Sequence, residues 1–170
     1  KYILIIHRKT PRYHTKIHVL KYRIAKLAWL DDKESRIVAR VSRRVTDMTG
    51  LSIYTAEELQ VLNYGIGGHY EPHHDFSGNH NSSIYVKNKF GGRIATVLFY
   101  MSHVPQGGAT VFTEIGLTVL PVKGAAAYWL NLHPSGKGDF ATAHAACPVL
   151  RGSKWGKFLF VYPVRRVLYF

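Results

Sequence analysis

The chain has 170 residues, 46% of them apolar and 19% charged, which suits one globular domain with a real core and excludes a disordered or low-complexity polypeptide. Its formal net charge is +13, from 23 Lys and Arg against 10 Asp and Glu. The basic residues crowd Lys1 to Arg44 and return in RRVLYF around a nearly neutral middle, a spread that argues against a dedicated nucleic-acid face. No run approaches the roughly 20 apolar residues of a membrane-spanning helix, and no signal-peptide pattern is recognisable. A single cysteine, Cys147, excludes an internal disulfide and any multi-cysteine zinc site. Because the chain opens on Lys1, it is expected to be a fragment or processed form of a longer protein.

In chain order, YILIIH (Tyr2 to His7) and KIHVLKYRI (Lys16 to Ile24) read as strands, rich in β-branched residues. The period then changes. Asp31 or Asp32 can cap a helix, and Ile37, Val38, Val41, Val45 and Met48 recur at three- and four-residue spacing until Gly50 supplies a stop. Beyond it the reading is β almost to the end: LQVLNY, a GIGG turn, the segment YEPHHDF, and a polar loop from Ser77 to Gly92. IATVLFYM, GGATVF, LTVLPV, AAAYWLNL, HAACPVL and KFLFVYPV follow, each set off by Gly, Pro or Ser. N-terminal strands and one helix over 1–50, then many short strands over 51–170, predict a mainly β fold: a sandwich or jelly-roll barrel with a supporting helix. Phe99, Val97, Leu130 and Trp129 are expected to line its interior.

YEPHHDF carries the chemistry. In an extended segment, residues i and i+2 share a face, so His73 and Asp75 converge while His74 points away. Two such ligands make two corners of a metal site, and the best third is His144 in TAHAACP, before a predicted strand. Two His and one carboxylate form the facial triad of non-haem Fe(II) oxygenases, which leaves coordination positions open for a chelating co-substrate and dioxygen. Lys154, in an otherwise apolar stretch, needs an anionic partner, and the far carboxylate of an iron-chelating dicarboxylate is one. The bare His-x-Asp pattern is weak, and the other histidines read as surface or hydrogen-bonded residues.

The stretches TAEELQVLNYGIGGHYEPHHDF, GGRIATVLFYMSHVPQGGATVF and GDFATAHAACPVLRGSKW resemble the catalytic domain of the collagen prolyl 4-hydroxylase alpha subunit, with YRIAKLAWL similar to the segment that precedes its helix. The resemblance covers about residues 20 to 155. It implies a double-stranded β-helix, Fe(II) on His73, Asp75 and His144, and 2-oxoglutarate bound through Lys154, with Thr110 and Tyr64 on the same far carboxylate. It further implies Tyr70 and Arg93 facing a peptidyl proline. The implied reaction hydroxylates proline at C4 in collagen-like X-Pro-Gly peptide, with succinate and CO2 as co-products and ascorbate keeping the iron reduced. Residence in the endoplasmic reticulum lumen and pairing with a protein disulfide isomerase come from the same resemblance.

Three departures qualify it. Where the family continues K-W-x-x-x-K-W-x-H, this chain reads KWGKFLFVY, so Phe160 and Tyr162 replace a Trp and a His of the substrate pocket. The family's C-terminal cysteine, the implied disulfide partner of the residue matching Cys147, is missing, and residues 1–19 match only loosely. Other readings are therefore a catalytically impaired relative acting as a binding module, a hydroxylase of a different protein, and a zinc hydrolase, for which no general base is evident. Asn81-Ser82-Ser83 matches the N-glycosylation pattern.

Overall fold

The computed structural model describes residues 3–6 and 16–18 as backbone strands and residues 22–76 and 92–162 in full. The Ser77–Gly91 part of the expected loop, with Asn81, and the tail from residue 163 lie outside the described residues. The strands are β1 (Ile3–Ile6), β2 (Lys16–His18), β3 (Lys26–Leu30), β4 (Leu59–Tyr64), β5 (Tyr70–His73), β6 (Ala95–Tyr100), β7 (Gln106–Gly107), β8 (Thr110–Phe112), β9 (Leu117–Val119), β10 (Ala126–Leu130), β11 (His144–Ala146), β12 (Val149–Arg151) and β13 (Lys154–Val161). A seven-stranded sheet runs β10-β6-β13-β4-β3-β1-β2, a four-stranded sheet runs β5-β11-β8-β9, and β12 pairs with β7. From β4 onward the chain crosses repeatedly between the two larger sheets, with β4, β6, β10 and β13 in one and β5, β8, β9 and β11 in the other, which is the jelly-roll expected from the strand pattern.

Alternation along β6 and β13 sorts the two faces of the large sheet. Val97 and Leu159, paired in register, join Leu59, Val38 and Val45 in one buried cluster, so this face carries the helix α1 (Arg36–Thr49). Leu98 and Tyr100 join Phe112 and Trp129 on the opposite face, against the small sheet. The expected interior is corrected accordingly. Trp129 lies in it, but Val97 and Phe99 face the helix, and Leu130 is 51% exposed. A one-residue step along a strand reverses the face, and composition alone does not say which parity points inward. Leu159→Ala is expected to lower stability by about 2–5 kcal/mol in denaturant unfolding, because it empties the sheet–helix contact.

The helix begins later than expected. Asp31 caps only a short 3-10 turn over Asp32–Glu34, and Ser35, in extended geometry, caps α1 by accepting from the Ile37 N–H at 3.2 Å. Gly50 stops it in the left-handed region at φ 69, donating to the Thr46 carbonyl. Val38, Ser42 and Val45 form the buried stripe, while Ile37 and Met48 are exposed. At about 100° per residue these two fall some 80–100° from Val38, past the stripe's edge. Ser42 is tolerated inside because its hydroxyl donates to Asp32 at 2.7 Å. The expected strand over Lys16 to Ile24 is described only as β2, and HAACPVL splits into β11 and β12 across Cys147 and Pro148.

Candidate metal centre and the cavity beside it

The glycine-rich turn sets the entry of β5. A Cβ on Gly68 would stand 2.7 Å from the Gly65 carbonyl oxygen and 2.9 Å from that of Ile24, so only glycine lets the chain pass there. The turn is tied to β12 by the Gly67 N–H on the Val149 carbonyl at 2.7 Å. β5 is the outer strand of the small sheet, the position in which a proline such as Pro72 is tolerated.

His73 and His144 are antiparallel partners in register, their ring centroids 4.3 Å apart. Nδ1 of His73 lies 2.8 Å from the Glu71 carbonyl oxygen, and Nδ1 of His144 lies 2.9 Å from that of Thr142. A carbonyl only accepts, so both protons sit on Nδ1 and both Nε2 lone pairs are free. These lone pairs face Asp75: His73 Nε2 is 3.6 Å from Oδ1 and His144 Nε2 3.6 Å from Oδ2. One ligand atom from each residue lies within 4.8 Å of the other two. Burial pushes His144 below the ordinary imidazole value, toward the neutral ligand form. Burial alone would raise Asp75, but the approach of His73, the His144 charge and Arg93 outweigh it and hold the carboxyl below its ordinary value. Three electron-pair donors thus converge, and His144 Nε2 is buried without a hydrogen-bond partner. Such an arrangement fits a divalent cation held by two imidazoles and a carboxylate. His74 turns away as expected, packing on Phe76 and Phe140.

Beside the triad a narrow cavity is lined by Tyr64, Tyr70, His73, Thr110, His144, Lys154 and Phe158. Lys154 opens β13 opposite Tyr64 and is 2% exposed. Burial pulls its ammonium down to about 8, with Cys147 acting the other way, and among the described residues no carboxylate pairs with it. Its Nζ is 3.3 Å from Thr110 Oγ1, which also accepts from Tyr100 Oη at 2.9 Å. With both lone pairs of Thr110 engaged, its proton is free for a ligand. Tyr64 Oη is buried without a hydrogen-bond partner, and burial raises its phenol further. An ammonium, a hydroxyl and a phenol with unspent donors make one end of the cavity a receptor for an anion. These features fit a dicarboxylate whose other end reaches the triad.

Tyr70 stacks on His73 at 3.6 Å, and the Arg23 guanidinium lies 4.6 Å from the Tyr70 ring centre. Arg93 is held by both oxygens of Glu57, at 2.6 and 3.1 Å, and lies over the Phe160 ring at 3.7 Å. Tyr162 Oη donates to the same Glu57. Phe160 and Tyr162, the two departures in the tail, therefore enclose Arg93. Sequence reasoning missed Tyr100, Phe158, Glu57 and Arg23. The even-numbered face of β6 could have pointed to Tyr100, since Leu98 and Tyr100 share a period with Thr96. Nothing local marks Glu57, whose partners are 36 and 105 residues away. Cys147 is a free, partly exposed thiol.

The model of the 2OG-Fe(II) oxygenase superfamily matches residues 59–162. The chain is 55% identical over 140 residues to prolyl 4-hydroxylase subunit alpha-1 of Gallus gallus, covering 82% of this chain and 27% of that protein. With the Homo sapiens subunit alpha-1 it is 54% identical over 139 residues, 82% of this chain and 26% of that one. The chain thus spans about a quarter of the length of the curated relatives it matches. Among solved structures, the viral collagen prolyl hydroxylase vCPH from Paramecium Bursaria Chlorella virus-1, as a 2OG complex, superposes with a TM-score of 0.74 at 22% identity over 84% of this chain and 81% of that one. A Pseudomonas putida prolyl-4-hydroxylase gives 0.57 at 19% identity, over 86% and 76% of the two chains. At these identities the two structures speak for the fold alone.

Proposed function

Because the chain belongs to the 2OG-Fe(II) oxygenase superfamily, we propose that it hydroxylates peptidyl proline at C4, in collagen-like X-Pro-Gly sequences, with succinate and CO2 as co-products. The observation that carries the reading is the pairing of a His73–Asp75–His144 cluster of free ligand atoms with Lys154, a buried cation that no described carboxylate neutralises. Bound Fe(II), with 2-oxoglutarate, supplies the redox chemistry that inserts one oxygen atom of dioxygen into a C–H bond.

The chain's residues hold and orient. His73, Asp75 and His144 would hold the metal; Lys154, Thr110 and Tyr64, with donors unspent, would hold the far carboxylate of 2-oxoglutarate. Tyr70, stacked on His73, would face the peptidyl proline from one side and Arg93, lying over Phe160, from another. Extended polyproline geometry would present a proline ring to such walls. Residues 1–170 act in this reading as one catalytic domain. Ascorbate as the reductant that maintains Fe(II), the lumen of the endoplasmic reticulum as location, and a protein disulfide isomerase as partner belong to the same proposal, supported by the identity to the alpha subunits.

One observation favours a second reading, hydroxylation of a different protein. Glu57 accepts from both Arg93 and Tyr162, so the proposed substrate-facing wall differs from the K-W-x-x-x-K-W-x-H pattern. The test is succinate release from 2-oxoglutarate by anaerobically Fe(II)-loaded protein, with and without a (Pro-Pro-Gly) repeat peptide. Peptide-stimulated succinate with hydroxyproline by mass spectrometry is expected. Slow, peptide-independent succinate would replace the collagen-like substrate with another, and no turnover despite bound iron would overturn the enzyme reading in favour of a binding module.

A further inference from the structure

We infer that Thr96 and Asn131 form a positioning relay that polarises the hydrogen bond on Asp75 and dedicates one of its carboxylate oxygens to the metal; this rests on the metal reading of His73, Asp75 and His144. Thr96 Oγ1 lies 2.8 Å from Asp75 Oδ2, and Asn131 Nδ2 lies 2.9 Å from Thr96 Oγ1. Both polar residues are at 0% exposure. Thr96 sits on the face of β6 that carries Leu98 and Tyr100. Asn131 directly follows β10, and its backbone is pinned on both sides: its N–H donates to the Ile94 carbonyl at 2.8 Å and its carbonyl accepts from the Asp139 N–H at 2.9 Å.

The direction of each bond follows from donor and acceptor chemistry. An ionised carboxylate only accepts, so the single hydroxyl proton of Thr96 goes to Oδ2. The hydroxyl oxygen then has lone pairs to satisfy, and Asn131 serves it only with the amide nitrogen turned inward. That orientation leaves Asn131 Oδ1 buried with no hydrogen-bond partner. The opposite amide orientation would draw the Thr96 proton to Asn131 and aim a lone pair at Asp75. A buried, unsatisfied carbonyl is otherwise disfavoured, so its presence marks which bond the site keeps.

The consequence falls on the metal. With one lone pair of Oδ2 engaged by Thr96, Oδ1 keeps both of its own unspent, facing His73 Nε2 at 3.6 Å, while Oδ2, already committed to Thr96, is the oxygen 3.6 Å from His144 Nε2. A carboxylate free to turn could chelate through both oxygens and take a coordination position that the co-substrate needs. Held on Oδ2, it binds through one oxygen, as an orienting partner beyond the ligand does in metal sites generally. Thr96 and Asn131 touch neither metal nor substrate; they act through Asp75.

The experiment titrates Co(II) into the whole chain and reads dissociation constant and band shape from the visible ligand-field absorption. Thr96→Val, close to isosteric but without a donor, is expected to weaken Co(II) binding about 10- to 100-fold and to alter the bands as the second oxygen is released. Thr96→Ser should restore both, and Asn131→Ala, which unpins the hydroxyl, should fall between. Circular dichroism identifies folded variants. A folded Thr96→Val or Asn131→Ala with wild-type affinity and spectrum would overturn the relay alone. Wild-type protein that binds no Co(II), or binds it equally well as Asp75→Ala, would overturn the metal reading and the relay with it. Should Thr96→Val fail to fold, Asn131→Ala decides by the same criterion, since the carbonyl it removes has no partner to orphan.

Discussion

Asp75→Ala and His144→Ala are each expected to abolish turnover and to remove divalent-metal binding from calorimetric titration, while the far-ultraviolet circular dichroism stays that of a folded β protein. In the proposed site each would supply one of the three ligand atoms that converge among the described residues, and two ligands on one edge of a sheet would not hold Fe(II) against solvent. Folding is expected to survive because the apolar clusters on the two faces of the large sheet keep their own contacts, His144→Ala giving up only its ring contacts with Phe112 and Trp129. His144→Ala also deletes a buried Nε2 that has no partner without a cation. Asp75→Ala deletes a buried carboxylate, at the cost of orphaning the Thr96 hydroxyl. Either variant retaining wild-type succinate release would remove the assigned ligand from the site.

Lys154 carries the second large effect, and it has a pH signature. Lys154→Ala is expected to weaken 2-oxoglutarate by about 2–5 kcal/mol, roughly 30-fold to several-thousand-fold in Kd, because it leaves a desolvated carboxylate without its cation. Co(II) affinity should not change, since Lys154 contacts Thr110 and not the triad. In the ligand-free chain burial lowers the Lys154 ammonium from 10.5 to about 8. Binding a carboxylate favours the charged form and raises that value again. The apparent Kd for 2-oxoglutarate should therefore be flat below pH 8 and weaken about tenfold per pH unit above it, up to the raised value of the bound state. Stability of the ligand-free chain runs the other way. The folded state binds fewer protons on Lys154 than the unfolded chain between pH 8 and 10.5, so the lysine's contribution to stability rises with pH through that window, by about 3 kcal/mol in total. Anaerobic titration of 2-oxoglutarate from pH 7 to 9.5, beside the Lys154→Ala variant, measures it. An affinity independent of pH in wild type would exclude Lys154 as the carboxylate's partner.

Arg93 shows how the two departures in the tail are packed, with Phe160 against its guanidinium and Tyr162 on its partner Glu57. Its guanidinium is saturated along one edge by Glu57, and the Glu57 charge together with its hydrogen bonds holds Arg93 above its ordinary value despite the opposing effect of burial. A guanidinium so engaged presents a flat, largely neutralised surface against Phe160 rather than a free positive charge.

The local features of this protein were legible in one dimension. A strand's two-residue period puts His73 and Asp75 on one side and His74 on the other, whatever the rest of the chain does, and the structure keeps that division. The run of β-branched and aromatic segments after Gly50 fixes a β architecture by the same local rule, and Lys154, a long cation among apolar neighbours, announced a need for an anion. Tertiary structure decided everything that depends on which strands meet. His144 joins the cluster with His73 and Asp75 because β11 pairs with β5 in the register that sets it opposite His73, across 71 residues of chain. The parity of β6 and β13 was settled by the helix lying on one face, which sent Val97 and Phe99 outward and Thr96 and Tyr100 to the site. The Glu57, Arg93 and Tyr162 contacts, and the Asn131–Thr96–Asp75 chain, join residues that share no local pattern. Periodicity is a property of a single segment; register and pairing belong to two segments at once, and only the folded chain brings them together.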